Sequence, residues 1–258
     1  MVVRAIAYRN NRKTWMSEEI LNQIGGVHED AKKGAASNTE IIKRSVGKFS
    51  TERIKPLFAY KRLAINTMLL WAIWASIGMA YPLFNAFVVQ YLRAVDPTAP
   101  PIPDSILYRN YAIQSIVGCS GSAVAAYTVR VKYVGRRGTM GISLLMTGVF
   151  LFLFTVSTDA SLQLGFSCMV TLFQQTAYGV LYSYSPETFP TPNRSTGTGI
   201  SSGLNRLAGL CAPLVAIYAG SATAASAKMP IYISGALFLV CAVCTACLPI
   251  ETMGKETD

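Results

Sequence analysis

Residues 138–158 read GTMGISLLMTGVFLFLFTVST, and no side chain in that run carries a charge. A helix needs about 20 predominantly apolar residues to cross roughly 30 Å of hydrocarbon. The steps Leu144-Leu145-Met146 and Val149-Phe150-Leu151-Phe152-Leu153-Phe154 do not alternate. A strand of an outer-membrane barrel would alternate over about 10 residues. An open sheet would leave its backbone groups unsatisfied in lipid. The stretch therefore predicts a transmembrane helix.

The same reading extends in both directions. Arg137 and Asp159 bound the first window, and Glu187 is the next charge beyond it. Upstream, 110–129 is bare between Arg109 and Arg130, and 63–92 between Arg62 and Arg93. Downstream, 195–227 is broken only by Arg206, and 229–250 runs uncharged to Glu251. Six spans are predicted, near 64–89, 109–130, 139–157, 161–184, 198–219 and 229–249. The second is the most polar, with Gln114, Ser115, Ser120 and Ser122, as suits a helix buried among others or facing water. The fold class is an all-α membrane protein with six transmembrane helices in 63–250, preceded by a cytoplasmic tail (1–62) and followed by a short one (251–258).

Composition agrees. Of 258 residues, 52% are hydrophobic and 14% charged, with mean hydropathy +0.36. A soluble domain carries about 25% charged residues. Disordered chains, coiled coils and nucleic-acid-binding domains are excluded, although the net charge is +10. The 23 Lys and Arg side chains are unevenly placed, and that sets the orientation. Nineteen fall on the side that holds both termini. Arg93, Arg109 and Lys228 lie opposite, and Arg206 lies within the membrane. Both ends are therefore expected in the cytoplasm.

No signal peptide is expected in the tail, because Val2-Val3 is followed at once by Arg4. A short amphipathic helix is expected at 17–24, capped by Ser17, with Glu18 and Glu19 in its first turn and Gly25 as a stop. A second, weaker helix is expected at 39–46. Basic residues in 43–62 can touch anionic lipid.

No catalytic constellation emerges. His28 is the sole histidine and lies in the tail. Cys241, Cys244 and Cys247 have a metal-like spacing, but steps of three rotate them around a helix axis, with no His or acid nearby. They read as small apolar packing residues, like Cys119, Cys168 and Cys211. No enzyme activity, cofactor or metal site is expected.

Two loops carry more information. Gly135-Arg136-Arg137-Gly138 puts two arginines at a helix entrance, where they can grip carboxylates, helix C-terminal carbonyls or lipid phosphates, or act as an ordinary positive-inside anchor. Pro186-Glu187-Thr188-Phe189-Pro190-Thr191-Pro192-Asn193-Arg194-Ser195-Thr196-Gly197-Thr198-Gly199 has three prolines that stop a helix. Its Glu187 and Arg194 bracket the loop with opposite charges. Gly199 and Gly203 form a GxxxG pair that permits close helix approach. Gly209 and Pro213 are expected to bend or interrupt the fifth helix.

That second loop resembles the PE-x-F-PT-x-x-R-x-x-G-x-G signature of the major facilitator superfamily. The likeness is greatest to the sugar-porter branch and to related synaptic-vesicle-protein and organic-ion transporters of fungal type. Leu248–Lys255 resembles the LPET-x-G-K ending with Ile250 inserted, and Gly135-Arg136-Arg137 resembles the D-x-x-G-R-R loop, with Lys132 in the acidic place. The resemblance covers about 60–255 and implies the C-terminal half of a twelve-helix secondary transporter.

Alternating access follows from that resemblance, two halves rocking about a midplane site. It implies Trp74, Tyr81, Asn85, Gln114, Gln174, Gln175, Tyr178, Asn205 and Arg206 as solute-contacting candidates, with Tyr182 also available. It further implies a charge lock of Arg136, Arg137, Glu187 and Arg194. A lone intramembrane arginine costs at least about 2.5 kcal/mol, so Arg206 needs a partner or water. No acid lies inside the six spans, so a symport proton carrier belongs to the other half. The expected partners are membrane lipid, a small solute (sugar or organic ion), and the missing N-terminal half or another transporter chain. The alternative is a regulatory, non-transporting half that binds a full-length relative.

Overall fold

The chain divides into Met1–Lys48 and Phe49–Asp258. The computed structural model describes residues 54–95, 103–131, 134–157, 159–219 and 228–250. The tail helices expected at 17–24 and 39–46, Lys132 and the ending 251–258 lie outside the described residues.

Among the described residues, six α-helices follow a 3-10 turn at Lys55–Phe58. They are α1 (Lys61–Val95), α2 (Asp104–Thr128), α3 (Gly135–Val156), α4 (Ala160–Thr188), α5 (Arg194–Ala219) and α6 (Met229–Ala246). Among the described residues there is no strand. Stretches within or spanning α1, α3, α5 and α6 are long and apolar enough to cross a membrane. In α2 and α4, glutamines and serines dilute that character.

Each helix has few neighbours. α1 packs on α5 and α6, α3 on α4 and α6, and α2 on α4. Exchanging α1–α3 with α4–α6 leaves these main pairings unchanged, as two three-helix repeats would. The core holds Leu70, Ile73, Trp74 and Ile77 from α1, with Leu144, Leu151 and Phe154 from α3. Val180, Leu181 and Tyr184 of α4 and Phe238 of α6 complete it. Phe84 meets Phe154 edge-on at 5.7 Å, and Phe150 stacks on Phe173 at 5.7 Å.

Without a hydrophobic driving force between helices in lipid, backbone proximity matters more. At Gly78 a Cβ would collide with the Asn205 backbone, so only glycine lets α1 and α5 cross there. Gly121 does the same for α2 on α4, where a Cβ would stand 2.5 Å from the Leu172 carbonyl oxygen. Gly135 has φ 60 and opens α3 from a left-handed conformation that glycine adopts without cost.

Polar side chains in these helices mostly bond backward to their own backbone, as Thr147 does to the Ser143 carbonyl at 2.8 Å. A few join helices instead. Trp74 Nε1 donates to Ser185 Oγ at 2.9 Å, and Ser234 Oγ donates to the Ala80 carbonyl at 2.7 Å.

Two expectations require correction. Pro186 does not end its helix but lies within α4, which runs to Thr188; Pro190 makes the break. Of the bend or interruption expected at Gly209 and Pro213, the interruption is absent, since α5 continues across Pro213 to Ala219. The GxxxG pair is a larger surprise. Gly199 and Gly203 have nothing within 4 Å, so they mediate no approach among the described residues. Gly209, stacked on the Gly78 carbonyl, forms that crossing together with Gly78.

Candidate functional site

A hollow of about 360 Å³ opens between α1, α2 and α4, walled by Tyr81, Ser122, Gln175, Tyr178 and Tyr182. Its aromatic wall is continuous. Tyr81 meets Tyr178 edge-on at 5.9 Å, and Tyr178 stacks against Tyr182 at 6.1 Å. Tyr182 in turn receives Trp74 edge-on at 4.9 Å. Gly179 keeps the floor low, while Gln175 and Ser122 supply hydrogen-bonding groups. Small-molecule sites favour this mixture of apolar walls and few polar groups. Thr176 Oγ1, donating to the Gly121 carbonyl at 3.0 Å, fixes α4 beside α2.

Of the sequence candidates, Tyr81, Gln175, Tyr178 and Tyr182 share this hollow. The others do not. Trp74 is fully buried behind Tyr182, with its indole N–H already donated to Ser185. Gln174 is only 3% exposed, and its Nε2 has no partner among the described residues. Asn85 turns its amide back onto the Tyr81 carbonyl at 3.0 Å. Gln114 does not line the hollow, and Asn205 lies against Gly78. Arg206 is exposed on α5 near the open Gly203. Ser122 and Gly179 were missed as site residues; the small-residue run Gly118–Ala126 was the available signal.

A second constellation ties one end of the bundle together. Arg136 at the start of α3 forms an ion pair with Glu187 near the end of α4, each side chain about a quarter exposed (23% and 28%). Arg137 takes a different partner: its Nη2 donates to the Ala246 carbonyl at the end of α6, at 2.9 Å. Arg194 begins α5, its Nε without a partner among the described residues. Beside them, Tyr184 Oη lies 2.7 Å from the Ile250 carbonyl and 3.0 Å from Asn66 Oδ1. A phenol has one proton to donate. The two acceptors, the Ile250 carbonyl and Asn66 Oδ1, therefore compete for it. Helices α1, α3, α4 and α6 are thus joined by polar contacts at this basic end.

The cysteines take separate places. Cys241 is buried, Cys244 half-buried and Cys247 exposed.

A bundle of apolar helices with a polar, tyrosine-walled hollow and a charged end defines a polytopic membrane protein. The sequence profile of the Major Facilitator Superfamily matches residues 110–256, and the chain belongs to that superfamily. Its members are transporters rather than enzymes. An uncharacterized MFS-type transporter of Schizosaccharomyces pombe is 37% identical over 228 residues, covering 88% of this chain and 40% of the relative. The MFS siderochrome iron transporter 1 of Ceriporiopsis subvermispora is 35% identical over 256 residues, covering 99% and 48%. The major facilitator-type transporter hxnZ of Emericella nidulans is 40% identical over 223 residues, covering 84% and 39%. The chain therefore spans less than half the length of these relatives.

Proposed function

We propose that the chain is the C-terminal half of a secondary transporter that moves a small solute, a sugar or an organic ion, by alternating access. Its six helices span the membrane with both termini cytoplasmic, and a complementary six-helix half completes the solute path. The observation that carries this reading is the hollow of Tyr81, Tyr178, Tyr182, Gln175 and Ser122. Three aromatic rings offer stacking faces for a sugar ring or an organic cation. Gln175 and Ser122 offer donors and acceptors that fix its orientation.

The Arg136–Glu187 pair acts in this reading as the charge lock at the cytoplasmic end, with Arg137 and Arg194 as its neighbours. Opening that end requires the pair to part. No carboxylate occurs in the hollow, so coupling to protons falls to the other half.

The test joins this chain to the N-terminal half of a relative and measures uptake of a labelled panel of sugars and organic ions. The siderochrome relative adds a ferric chelate to the panel. Tyr178→Ala and Gln175→Ala are expected to lower uptake of one class at least tenfold at unchanged abundance, about 1.4 kcal/mol. Unaltered uptake in both variants refutes the site.

The second reading is a non-transporting half that associates with a full-length relative. The open face of α5 favours it. Co-purification with such a relative, without uptake by the joined protein, separates the two.

A further inference from the structure

The paired arginines divide their labour, and that division points to another site. Arg136 is committed to a carboxylate, whereas Arg137 has no carboxylate within ion-pair distance among the described residues. One of its five donors is used, on the carbonyl that ends α6. That bond holds the guanidinium at the mouth of a groove of about 580 Å³ between α3 and α6.

Small residues keep the groove open: Gly138 and Gly141 on α3, Ala242 and Ala246 on α6. Its lips are Ile142, Leu145 and Val243, exposed by 51%, 45% and 64%. Both walls belong to helices apolar enough to cross a membrane, and α3 and α6 already pack on each other behind the groove. The lips therefore face outward into what surrounds the bundle. An occupant must carry an acidic head for Arg137 and an apolar body for the groove. Basic pockets between membrane helices recognise lipid headgroups in this way.

We infer that the α3–α6 groove binds one anionic phospholipid, its phosphate on Arg137 and an acyl chain along Gly141, Leu145 and Ala242. The inference needs the chain in a membrane but not the solute reading, since the groove and the tyrosine hollow share no residue. A second copy of the chain or an amphipathic helix would match the apolar lips but leave the guanidinium without its anion.

The experiment uses the full chain purified in an uncharged maltoside, with dioleoyl phosphatidylserine or dioleoyl phosphatidylcholine added. Native mass spectrometry counts retained lipid, and thermal unfolding reports stabilisation, which binding to the folded state produces. One phosphatidylserine is expected per chain, preferred about tenfold over phosphatidylcholine, whose quaternary ammonium cancels the charge of the phosphate that Arg137 would meet. Arg137→Gln should erase the preference. Gly141→Leu, whose Cβ makes only an ordinary contact with Thr245 at 3.6 Å, should fill the groove and lower retention of both lipids. Inorganic phosphate should neither stabilise nor compete. Equal retention of the two lipids by the unmodified chain overturns the proposal, and so does a lipid-free dimer that Gly141→Leu abolishes. The comparison of headgroups on the unmodified chain needs no variant, so a folding defect in Arg137→Gln leaves the test intact.

Discussion

Helices α3 and α5 are both apolar enough to cross a membrane, yet they are used differently. Half of the apolar window of α3 is buried within the chain, against 17% for α5. α3 lies between α4 and α6, whereas α5 leans mainly on α1. Its outward stripe runs from Gly199 and Gly203 past Arg206 to Leu210, Leu214 and Ile217. A stripe meant only for lipid has no use for two glycines and an arginine. The difference teaches that apolarity selects the membrane, while small and charged residues on an uncovered face mark a place where something more specific than bulk acyl chain can bind.

The glycines sharpen this contrast most. Gly78→Leu should separate α1 from α5 and cost about 3 kcal/mol or more, as severe overpacking does. The readout is the midpoint of unfolding as a denaturing detergent replaces a mild one. Gly203→Leu should stay within about 0.5 kcal/mol in the isolated chain, since its surroundings are open. Joined to an N-terminal half, the same variant should lower uptake sharply. An equal response at both glycines in the isolated chain would erase the distinction between the two faces.

Next in size is the split between the buried Trp74 and the side chains that line the hollow. Trp74→Phe removes a buried hydrogen bond and should cost about 1 kcal/mol. Gln175→Ala, at an exposed position, should stay within about 0.5 kcal/mol of the parent while lowering uptake. Destabilisation by Gln175→Ala matching that of Trp74→Phe would make the hollow a packing feature.

Much of this was legible in the chain. The cost of burying charge marks the bare runs, and a helix occupies each of them, four with stretches long and apolar enough to cross a membrane. The helix ends slipped for a physical reason. Glu187 keeps its side chain partly exposed one residue before the end of α4, so that helix runs past it to Thr188, and α1 runs past Arg93 to Val95. The site was half legible. Tyr81, Gln175 and Tyr178 could be proposed from polarity and aromaticity. Gln174 and Gln175 are adjacent in sequence, yet consecutive helical residues point about 100° apart, so one is buried and the other lines the hollow. A GxxxG pair states that a helix can be approached closely. It does not state that the approaching helix lies in the same six-helix unit, and here the crossing fell to Gly78 and Gly209 instead.

A smaller effect separates the Arg136 and Arg137 contacts. A double-mutant cycle of Arg136→Gln with Glu187→Gln should give a coupling of about 1 kcal/mol, reduced by salt because the pair is partly exposed. Arg137→Gln with Glu187→Gln should be additive within about 0.5 kcal/mol, because Arg137 is held by a backbone carbonyl. Strong coupling of both arginines to Glu187 would merge them into a single cluster and remove the basis for their separate roles.

The smallest effect is kinetic. Cys211 is exposed on α5 and Cys119 on α2, while Cys241 is buried in the core. With the other five cysteines replaced by serine, maleimide should modify Cys211 in the isolated chain at least about tenfold faster than it modifies Cys241 in the matching single-cysteine variant, since reaction needs access as well as thiolate. Joining the N-terminal half should slow Cys211 if the α5 stripe is a protein contact, and leave it unchanged if lipid covers that stripe. The rate at Cys211 therefore reports which surface the glycines and Arg206 of α5 were selected to meet.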